Sequence, residues 1–236
     1  MNAYGKDLDL DYYMEDLLND VAKTNIKRIR FISNHPWDFT DQMIEVIKKN
    51  DNIMPYIHLP LQSGSNKILK LMGRRYTKEK YLELYNKIKE TIPNVAITTD
   101  IIVGFPSETE EDFNETLDVV NQCQFDSAYT FIFSKRVGTP AAKMVDSVSL
   151  EVKRERLQIL NTLVNKYSNL ANQKYLNKEV LVLVEDINEK DQNKLFGYTE
   201  TMKRVNFKGN KNIIGKIVKV KINKVKTWSL DGEICI

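Results

Sequence analysis

The segment from residue 95 to residue 113 constrains the fold of this chain more than any other. Its first nine residues are β-branched and almost continuously apolar, which is typical of a strand that is covered on both faces in a parallel sheet. A glycine and a proline then end the strand, and Ser107 with Glu110 has the form of a capping box that begins a helix. We therefore expect a loop at the carboxyl end of a parallel strand, where α/β sheets bind ligands.

The same order of strand, loop and helix recurs along the first three quarters of the chain. Four apolar stretches predict strands, at residues 28–32, 56–61, 95–103 and 127–133. The segments between them carry apolar residues at helical spacing, and Thr40 and Thr77 are placed as helix caps. Such alternation predicts an α/β fold with right-handed parallel crossovers, either a twisted sheet or part of a (β/α) barrel.

The pattern changes after a long charged helix predicted at residues 149–175. Short strands with turn residues between them follow, at residues 180–184, 195–201, 204–207, 213–222 and 228–234. Five short strands without a helix predict a small antiparallel barrel of the OB type. We expect the domain boundary near Asn177, giving domains of residues 1–176 and 177–236.

Composition limits the classes of protein to which the chain can belong. It has 236 residues, of which 42% are hydrophobic, enough for an ordinary core in one large or two unequal domains. No apolar run approaches the ~20 residues of a membrane span, and the first residues have no signal-peptide pattern, so we expect a cytoplasmic protein. Cys123 and Cys235 lack the spacing of a zinc site or a disulfide framework and are expected to be buried free thiols.

Three polar residues lie at or near the predicted carboxyl ends of strands. His58 and Asp100 lie inside apolar strands, and His35 precedes a proline in a loop. A single histidine in a strand is more often a hydrogen-bonded core residue, but three such residues at one end of a sheet favour a ligand site. They do not have the spacing of a metal triad or a Ser-His-Asp arrangement, and the acids that begin the next helix disfavour a phosphate site. The residues by themselves leave the reaction open.

The carboxyl-terminal region is the basic part of the chain. Residues 203–228 contain nine Lys or Arg and no Asp or Glu. A solvated charged face is the ordinary explanation of such a run. On strands, however, alternate residues share a face, so these cations can form one patch beside Phe207 and Trp228, as contacts to nucleic-acid backbone and bases require. The residues proposed to bind RNA are Lys203, Arg204, Lys219, Lys221, Lys224, Lys226 and Trp228.

Several motifs resemble, in the same order, those of the radical-SAM methylthiotransferases, which attach a methylthio group to tRNA or to a ribosomal protein. They are Asn-Ala-Tyr-Gly at residues 2–5, Ser-Asn-His-Pro at 33–36, His-Leu-Pro-Leu-Gln-Ser-Gly-Ser at 58–65, Gly-Phe-Pro-Ser-Glu-Thr at 104–109 and Gly-Thr-Pro-Ala at 138–141. The tail resembles the RNA-binding TRAM domain. Among the subtypes, the motifs are most similar to those of the enzymes that methylthiolate isopentenylated adenosine beside the tRNA anticodon.

The resemblance implies a partial (β/α) radical-SAM barrel followed by a small antiparallel OB-like TRAM barrel. It also implies that S-adenosylmethionine lies against the loops after the strands, and that tRNA is the partner. The residues implied to contact the cofactor are His58, Gln62, Ser63, Asp100, Gly104, Pro106 and Glu108. The residues implied to contact the substrate are Asn2, Tyr4, Ser33, His35, Ser134 and Arg136.

One departure from the family pattern concerns iron. The family carries two 4Fe-4S clusters, held by three cysteines of an amino-terminal domain and by a Cys-x-x-x-Cys-x-x-Cys loop, and neither set is present here. Since clusters require cysteine thiolates, the chain is expected to correspond to the carboxyl-terminal part of such an enzyme and to be inactive alone. The oligomeric state of the chain is left open, and the intact enzyme is expected to be a monomer. The alternatives are a non-catalytic RNA-binding protein, or a methylthiotransferase that acts on threonylcarbamoyl-adenosine or a ribosomal protein.

Overall fold

The computed structural model describes residues 2–7, 11–32 and 34–235, and the chain divides into two compact units, Met1–Val164 and Asn165–Ile236. The first unit contains helices and three strands: α1 (Met14–Ala22), α2 (Asp41–Lys49), β1 (Tyr56–His58), α3 (Asn66–Leu71), α4 (Lys78–Thr91), β2 (Ala96–Val103), α5 (Glu110–Cys123) and β3 (Ser127–Ile132). Helix α6 (Leu150–Gln173) begins in the first unit and ends in the second. The predicted boundary near Asn177 stays a prediction.

The three strands of the first unit form a parallel sheet in the order β1-β2-β3. The prediction of a parallel α/β sheet is therefore confirmed. The predicted strand at residues 28–32 is wrong, because in the described part of the chain it is a single bridge between Ile29 and Ile53. The next rung would need the Tyr56 N–H, which instead donates to the Met54 carbonyl across Pro55.

The two faces of this sheet differ in their exposure. Ile57, Ile101 and Val103 lie on the buried face. On the other face, which we call the open face, the side chains of Tyr129 and Phe131 are 56% and 50% exposed. The expectation that β2 is covered on both faces is thus wrong for its carboxyl-terminal half, where alternate residues reach the open face.

Helix caps were predicted correctly in two of three places. The hydroxyls of Thr40 and Thr77 accept hydrogen bonds from backbone N–H groups in the first turns of α2 and α4. The predicted capping box beginning at Ser107 is wrong, since α5 is capped by Thr109 with Asp112. Ser107 has φ of 70°, whereas an N-cap residue needs extended backbone.

A buried polar network joins the loop after β1 to helix α5. Asp112 accepts hydrogen bonds from the Ser65 hydroxyl and the Lys67 ammonium, each at 2.6 Å. Burial opposes ionisation of Asp112, but the hydrogen bonds from Lys67, Ser65 and Thr109 outweigh it and lower the pKa to about 2. Gly64 lies so close to α5 that a β-carbon there would be 2.5 Å from the Thr116 Cα. The loop is therefore held on α5 by charge and by close backbone contact.

The second unit contains a closed five-stranded barrel in the order β4-β5-β6-β8-β7. Its strands are β4 (Glu179–Asn188), β5 (Asp191–Tyr198), β6 (Arg204–Lys208), β7 (Ile217–Val225) and β8 (Leu230–Ile234). The predicted small barrel is confirmed, with one difference: β6 and β8 pair in parallel, so the barrel is mixed. Closure leaves none of these strands with an unpaired edge.

Alternating side chains from all five strands fill the barrel interior. The fully buried members are Val182, Val184, Leu195, Val205, Phe207, Val220, Ile222 and Leu230. Phe207 is therefore a core residue and offers no stacking surface, contrary to the sequence expectation. Trp228, in contrast, is 60% exposed.

The two cysteines have different environments. Cys123 is buried, and burial raises the pKa of its thiol to about 12. Cys235 is half-buried, so the expectation of two buried thiols is confirmed for Cys123 alone. In the part of the chain that the structure describes, every helix is too short or too polar to cross a membrane.

We predict that Asp112→Asn lowers the free energy of unfolding by about 2 kcal/mol at neutral pH, the typical contribution of hydrogen bonds to a charged group. Because the folded-state pKa is lowered to about 2 from an ordinary value near 4, this stability is complete above about pH 5 and is lost as the pH falls towards the folded-state pKa. Urea unfolding followed by circular dichroism, at neutral pH and near pH 3, measures both effects.

Asp118→Asn is the matched control, since Asp118 is an exposed carboxylate on the same helix. Equal stability of the two variants at neutral pH would show that the Asp112 network does not stabilise the fold.

Candidate functional site

A cluster of hydrogen-bonded side chains lies on the open face, along β1 and the first five residues of β2. Nε2 of His58 lies 3.2 Å from Oδ2 of Asp100, and Nδ1 of His58 lies 3.0 Å from Oγ1 of Thr98. The Thr98 hydroxyl donates to the Tyr56 hydroxyl at 3.1 Å. A carboxylate can only accept, so Nε2 of His58 carries a hydrogen when Asp100 is ionised.

Strand register explains why these side chains meet. His58 is paired with Thr98, and Asp100 is paired with Tyr129. Since alternate residues of a strand point to the same face, the register places His58, Asp100 and Tyr129 together on the open face. The rings of His58 and Tyr129 pack edge to face with centroids 5.9 Å apart.

The loop after β1 contributes backbone groups more than side chains. Gln62 has φ of 69° and forms a bridge with Ile101, in which its N–H donates to the Asp100 carbonyl at 2.8 Å. The Ser63 hydroxyl is buried and lies 3.4 Å from the Thr116 hydroxyl of α5. Ser63 is thus bonded within the protein, and Gln62 extends the sheet edge beside Asp100.

The turn after β2 is closed by a buried ion pair. The Glu108 carboxylate accepts from the Gly104 N–H at 2.9 Å and from the Arg156 guanidinium of α6 at 2.7 Å. Burial raises the pKa of Glu108, and the hydrogen bond from Gly104 and the charge of Arg156 offset part of the increase. Pro106 is buried in the same turn. Glu108 therefore shapes the turn from within.

Gly104 is needed in this turn for two reasons. Its φ of 71° favours glycine, and a β-carbon there would lie 2.3 Å from Cγ of Lys153 on α6. Lys153 is itself paired with Asp146 at 2.6 Å. Sequence reasoning missed Lys153 and Arg156, because nothing in a charged helical segment indicates which of its cations will be buried.

The first residues of the chain lie against the loop that contains His35. The side-chain amide of Asn2 donates to the His35 carbonyl at 2.8 Å and its oxygen accepts from the His35 N–H at 2.9 Å. Tyr4 is partly exposed and packs edge to face with Tyr12. Ser33, the remaining predicted residue of this group, lies outside the described residues.

The imidazole of His35 is separate from the His58 cluster in its contacts. Its Nδ1 accepts from the Trp37 N–H at 3.3 Å, and its Nε2 lies 3.4 Å from the guanidinium of Arg74. Burial lowers the pKa of His35, and the charge of Arg74 acts in the same direction. Ser134 and Arg136 lie in the exposed loop after β3 and take no part in these contacts. Neither forms an ion pair among the residues that the structure describes.

The five lysines of the barrel that were predicted to bind RNA fall into three groups. Lys219 and Lys226 form ion pairs with Glu179 and Asp231 at 3.4 Å and 2.6 Å. Lys221 and Lys224 are exposed on β7, and Lys219 and Lys221 share the outward face because Val220 between them is buried. Lys203 is buried.

Arg204 belongs to a different part of the barrel surface. Its guanidinium lies 4.0 Å from the ring centroid of Phe196, and Phe196 packs edge to face with Tyr198. These outward aromatics on β5 were not predicted. Phe196 and Tyr198 alternate with the buried Leu195 and Gly197, and this alternation could have predicted that the two rings face outward. It could be applied only if the bounds of the strand were known.

The described residues contain no group of three or more His, Cys, Asp and Glu side chains that could hold a metal ion. Cys123 is buried at the end of α5 and Cys235 belongs to the other unit. These thiols therefore do not fit the iron–sulfur clusters that the sequence resemblance implies.

Comparison with known families matches both parts of the chain. Residues 3–120, half of the chain, match the model of the Radical SAM superfamily. Residues 173–235 match the model of the TRAM domain. The two matches occur in the order that the sequence motifs predicted.

Two curated relatives are similar over almost the whole chain. The tRNA-2-methylthio-N(6)-dimethylallyladenosine synthase of Staphylococcus epidermidis is 58% identical over 98% of this chain, which covers 45% of the relative. The protein of the same name from Bacillus subtilis is 56% identical over 99% of this chain, which covers 46% of the relative. The chain thus spans about half the length of the curated relatives it matches.

Among solved structures, coproporphyrinogen III oxidase (HemN) of Escherichia coli, described as a radical SAM enzyme, is similar with a TM-score of 0.51. The similarity covers 84% of this chain and 46% of that chain at 14% identity, so it concerns the fold alone. Together with the family matches, it identifies the parallel sheet as the same type of fold. The chain belongs to the radical SAM superfamily and is a homologue of the tRNA-2-methylthio-N(6)-dimethylallyladenosine synthases.

Proposed function

We propose that this chain takes part in the methylthiolation of isopentenylated adenosine in tRNA, with residues 1–176 contributing to the active site and residues 177–236 binding the RNA. The observation that carries the proposal is the 58% identity, over 98% of the chain, to a relative named for this reaction. The presence of radical SAM and TRAM matches in one chain is consistent with it.

The open face is the proposed site of S-adenosylmethionine, which in radical SAM enzymes supplies the radical that begins the reaction. The cluster fits a polar cofactor because the carboxylate of Asp100 and the imidazole of His58 are partly exposed and hold each other in place. Tyr129 provides an exposed aromatic surface beside them. In this proposal the Asp100 carboxylate accepts a hydrogen bond from the cofactor, and His58 orients that carboxylate.

The other cofactor residues act in this proposal by positioning the backbone. Ser63 and Glu108 direct their side chains into the protein, so they hold the loops after β1 and β2 in shape. Gln62, Gly104 and Pro106 supply the backbone of those loops. None of the described residues fits as a ligand of the iron–sulfur clusters of the family.

The remaining residues are proposed to serve the nucleic-acid substrate. Asn2, Tyr4 and His35 lie in adjoining loops, and Ser134 and Arg136 lie in the exposed loop after β3. Of the barrel lysines predicted to bind RNA, Lys221 and Lys224 are best placed to contact phosphates, because they are exposed and no ion pair engages them among the described residues. The exposure of Trp228 supports a stacking role for its indole.

We predict that only one of the two histidine rings of the chain, His58 and His35, responds to a cofactor analogue. Titration with S-adenosylhomocysteine, followed by NMR of the imidazole signals, should shift those of His58 and leave those of His35 in place. Asp100→Asn should lower the affinity for S-adenosylhomocysteine about tenfold or more, as expected for loss of a charged hydrogen bond. Asp118→Asn serves as the exposed control, and equal shifts of both histidines would contradict the assignment.

We predict that disruption of the gene encoding this chain removes the methylthio group from tRNA and leaves isopentenyladenosine in its place. Mass spectrometry of tRNA nucleosides measures both species. Complementation with the unaltered gene should restore the modification, and complementation with Asp100→Asn should not. Unchanged methylthiolation after disruption would instead favour the non-catalytic RNA-binding alternative.

We predict that tRNA binding by the chain weakens with salt, with a log–log slope of roughly 0.7–0.9 per phosphate contact. Lys221→Gln with Lys224→Gln should flatten the slope more than the matched pair Lys219→Gln with Lys226→Gln, because the second pair is already engaged by carboxylates. Fluorescence anisotropy over a salt series gives the slopes. An affinity for tRNA that does not change with salt would contradict the proposal that the barrel binds nucleic acid.

A further inference from the structure

A cavity of about 290 Å³ lies in the first unit between the turn at Pro36–Asp38 and the beginning of α4. None of the residues assigned above lines it. The lining residues are Pro36, Trp37, Phe39, Arg75, Tyr76, Lys80, Tyr81 and Leu84. Its volume is close to the lower end of the range for small-molecule sites.

One wall of the cavity is aromatic, and its residues Trp37 and Tyr76 are hydrogen-bonded within the protein. The Trp37 indole is 52% exposed, and the backbone beneath it is fixed by the hydrogen bond from the Trp37 N–H to His35. The Tyr76 hydroxyl donates to the carbonyls of Pro60 and Leu61. Burial raises the pKa of Tyr76 to about 12, and its hydroxyl is engaged by these two carbonyls.

The charge of the cavity is positive. Arg75 and Lys80 are exposed, and within the described residues no carboxylate lines the cavity. The acid of the same turn, Asp38, is neutralised by an ion pair with Lys6.

Other lysines of α4 differ from Lys80 in this respect. Lys78 is paired with Glu115 and Lys87 with Asp41, whereas no ion pair of Arg75 or Lys80 occurs in the described parts of the chain. The Arg75 guanidinium lies 5.9 Å from the Trp37 ring centroid. The two cations therefore stand beside an exposed indole without a carboxylate to satisfy them.

We propose that this cavity binds one nucleotide of single-stranded RNA, with the base stacked on Trp37 and the adjacent phosphate between Arg75 and Lys80. An exposed aromatic face next to cations is the combination that single-stranded nucleic acid requires, since every base has a π-face and every linkage a negative charge. An acidic peptide would satisfy the cations and leave the indole unused. The choice of RNA as the ligand rests on the proposed function. The location of the site rests on the residues that line the cavity.

The experiment uses the two tryptophans of the chain, Trp37 and Trp228. In Trp228→Phe, the emission of Trp37 reports the cavity, and in Trp37→Phe the emission of Trp228 reports the barrel. The probe is a short single-stranded oligoadenylate, with binding measured in parallel by anisotropy. We expect saturable quenching of Trp37.

Arg75→Gln combined with Lys80→Gln should lower the affinity measured by quenching about tenfold or more. It should also reduce the log–log salt slope by roughly 1.4, which corresponds to two phosphate contacts at 0.7 each. The matched control is Lys70→Gln with Arg154→Gln, which removes one Lys and one Arg that are exposed and lie outside the cavity. The control should bind as the unaltered chain does.

Four results would overturn the inference. If Trp228 is quenched and Trp37 is not, or if the Arg75 and Lys80 variant binds like its control, the cavity is not an RNA site and the RNA-binding role of the barrel stands. If polyglutamate quenches Trp37 as strongly as the oligonucleotide does, the cavity binds anions without reading a base. If neither tryptophan responds and anisotropy detects no binding, the RNA-binding part of the proposed function fails as well.

Discussion

The parallel ladder between β1, β2 and β3 is the constraint on which the candidate site depends. Because side chains alternate along a strand, the pairing of His58 with Thr98 and of Asp100 with Tyr129 decides which groups share the open face. A shift of one residue in this register would turn His58 and Asp100 into the apolar layer and bring Ile57 and Ile101 to the surface. The site therefore follows from the same pairing that buries the core.

Two buried carboxylates shape the loops around that face, and their environments move their pKa values in opposite directions. Donors from three residues surround the Asp112 carboxylate, including the ammonium of Lys67, and they outweigh burial. Glu108 has the Gly104 N–H and the Arg156 guanidinium, and there burial has the larger effect. Each carboxylate joins elements that are distant in sequence, so removing either would leave buried donors unpaired.

Strand alternation in the barrel separates the core residues from the outward-facing basic residues. Val220 and Ile222 fill the interior, while Lys219 and Lys221 point outward. The parallel pairing of β6 with β8 closes the barrel, so that each strand edge is hydrogen-bonded within the domain. The outward cations and Trp228 can therefore serve other contacts without changing the core. Basic residues on this surface differ in their ion pairs, because carboxylates engage Lys219 and Lys226, whereas Lys221 and Lys224 form no ion pair with any residue that the structure describes.

The sequence by itself determined the parallel strands β1, β2 and β3, two of the helix caps, the five-stranded barrel and the family, because periodicity, turn residues and ordered motifs are local signals. It also predicted that His58 and Asp100 belong to one polar cluster, and the structure brings these two side chains together, although Asp100 lies in the middle of β2. Only the tertiary structure decided that Phe207 is core while Trp228 is exposed, that residues 28–32 pair at a single position, and that Thr109 rather than Ser107 begins α5. The positions of Arg75, Lys80 and Arg156 were likewise decided there, because burial and ion pairing depend on which distant groups the fold brings into contact.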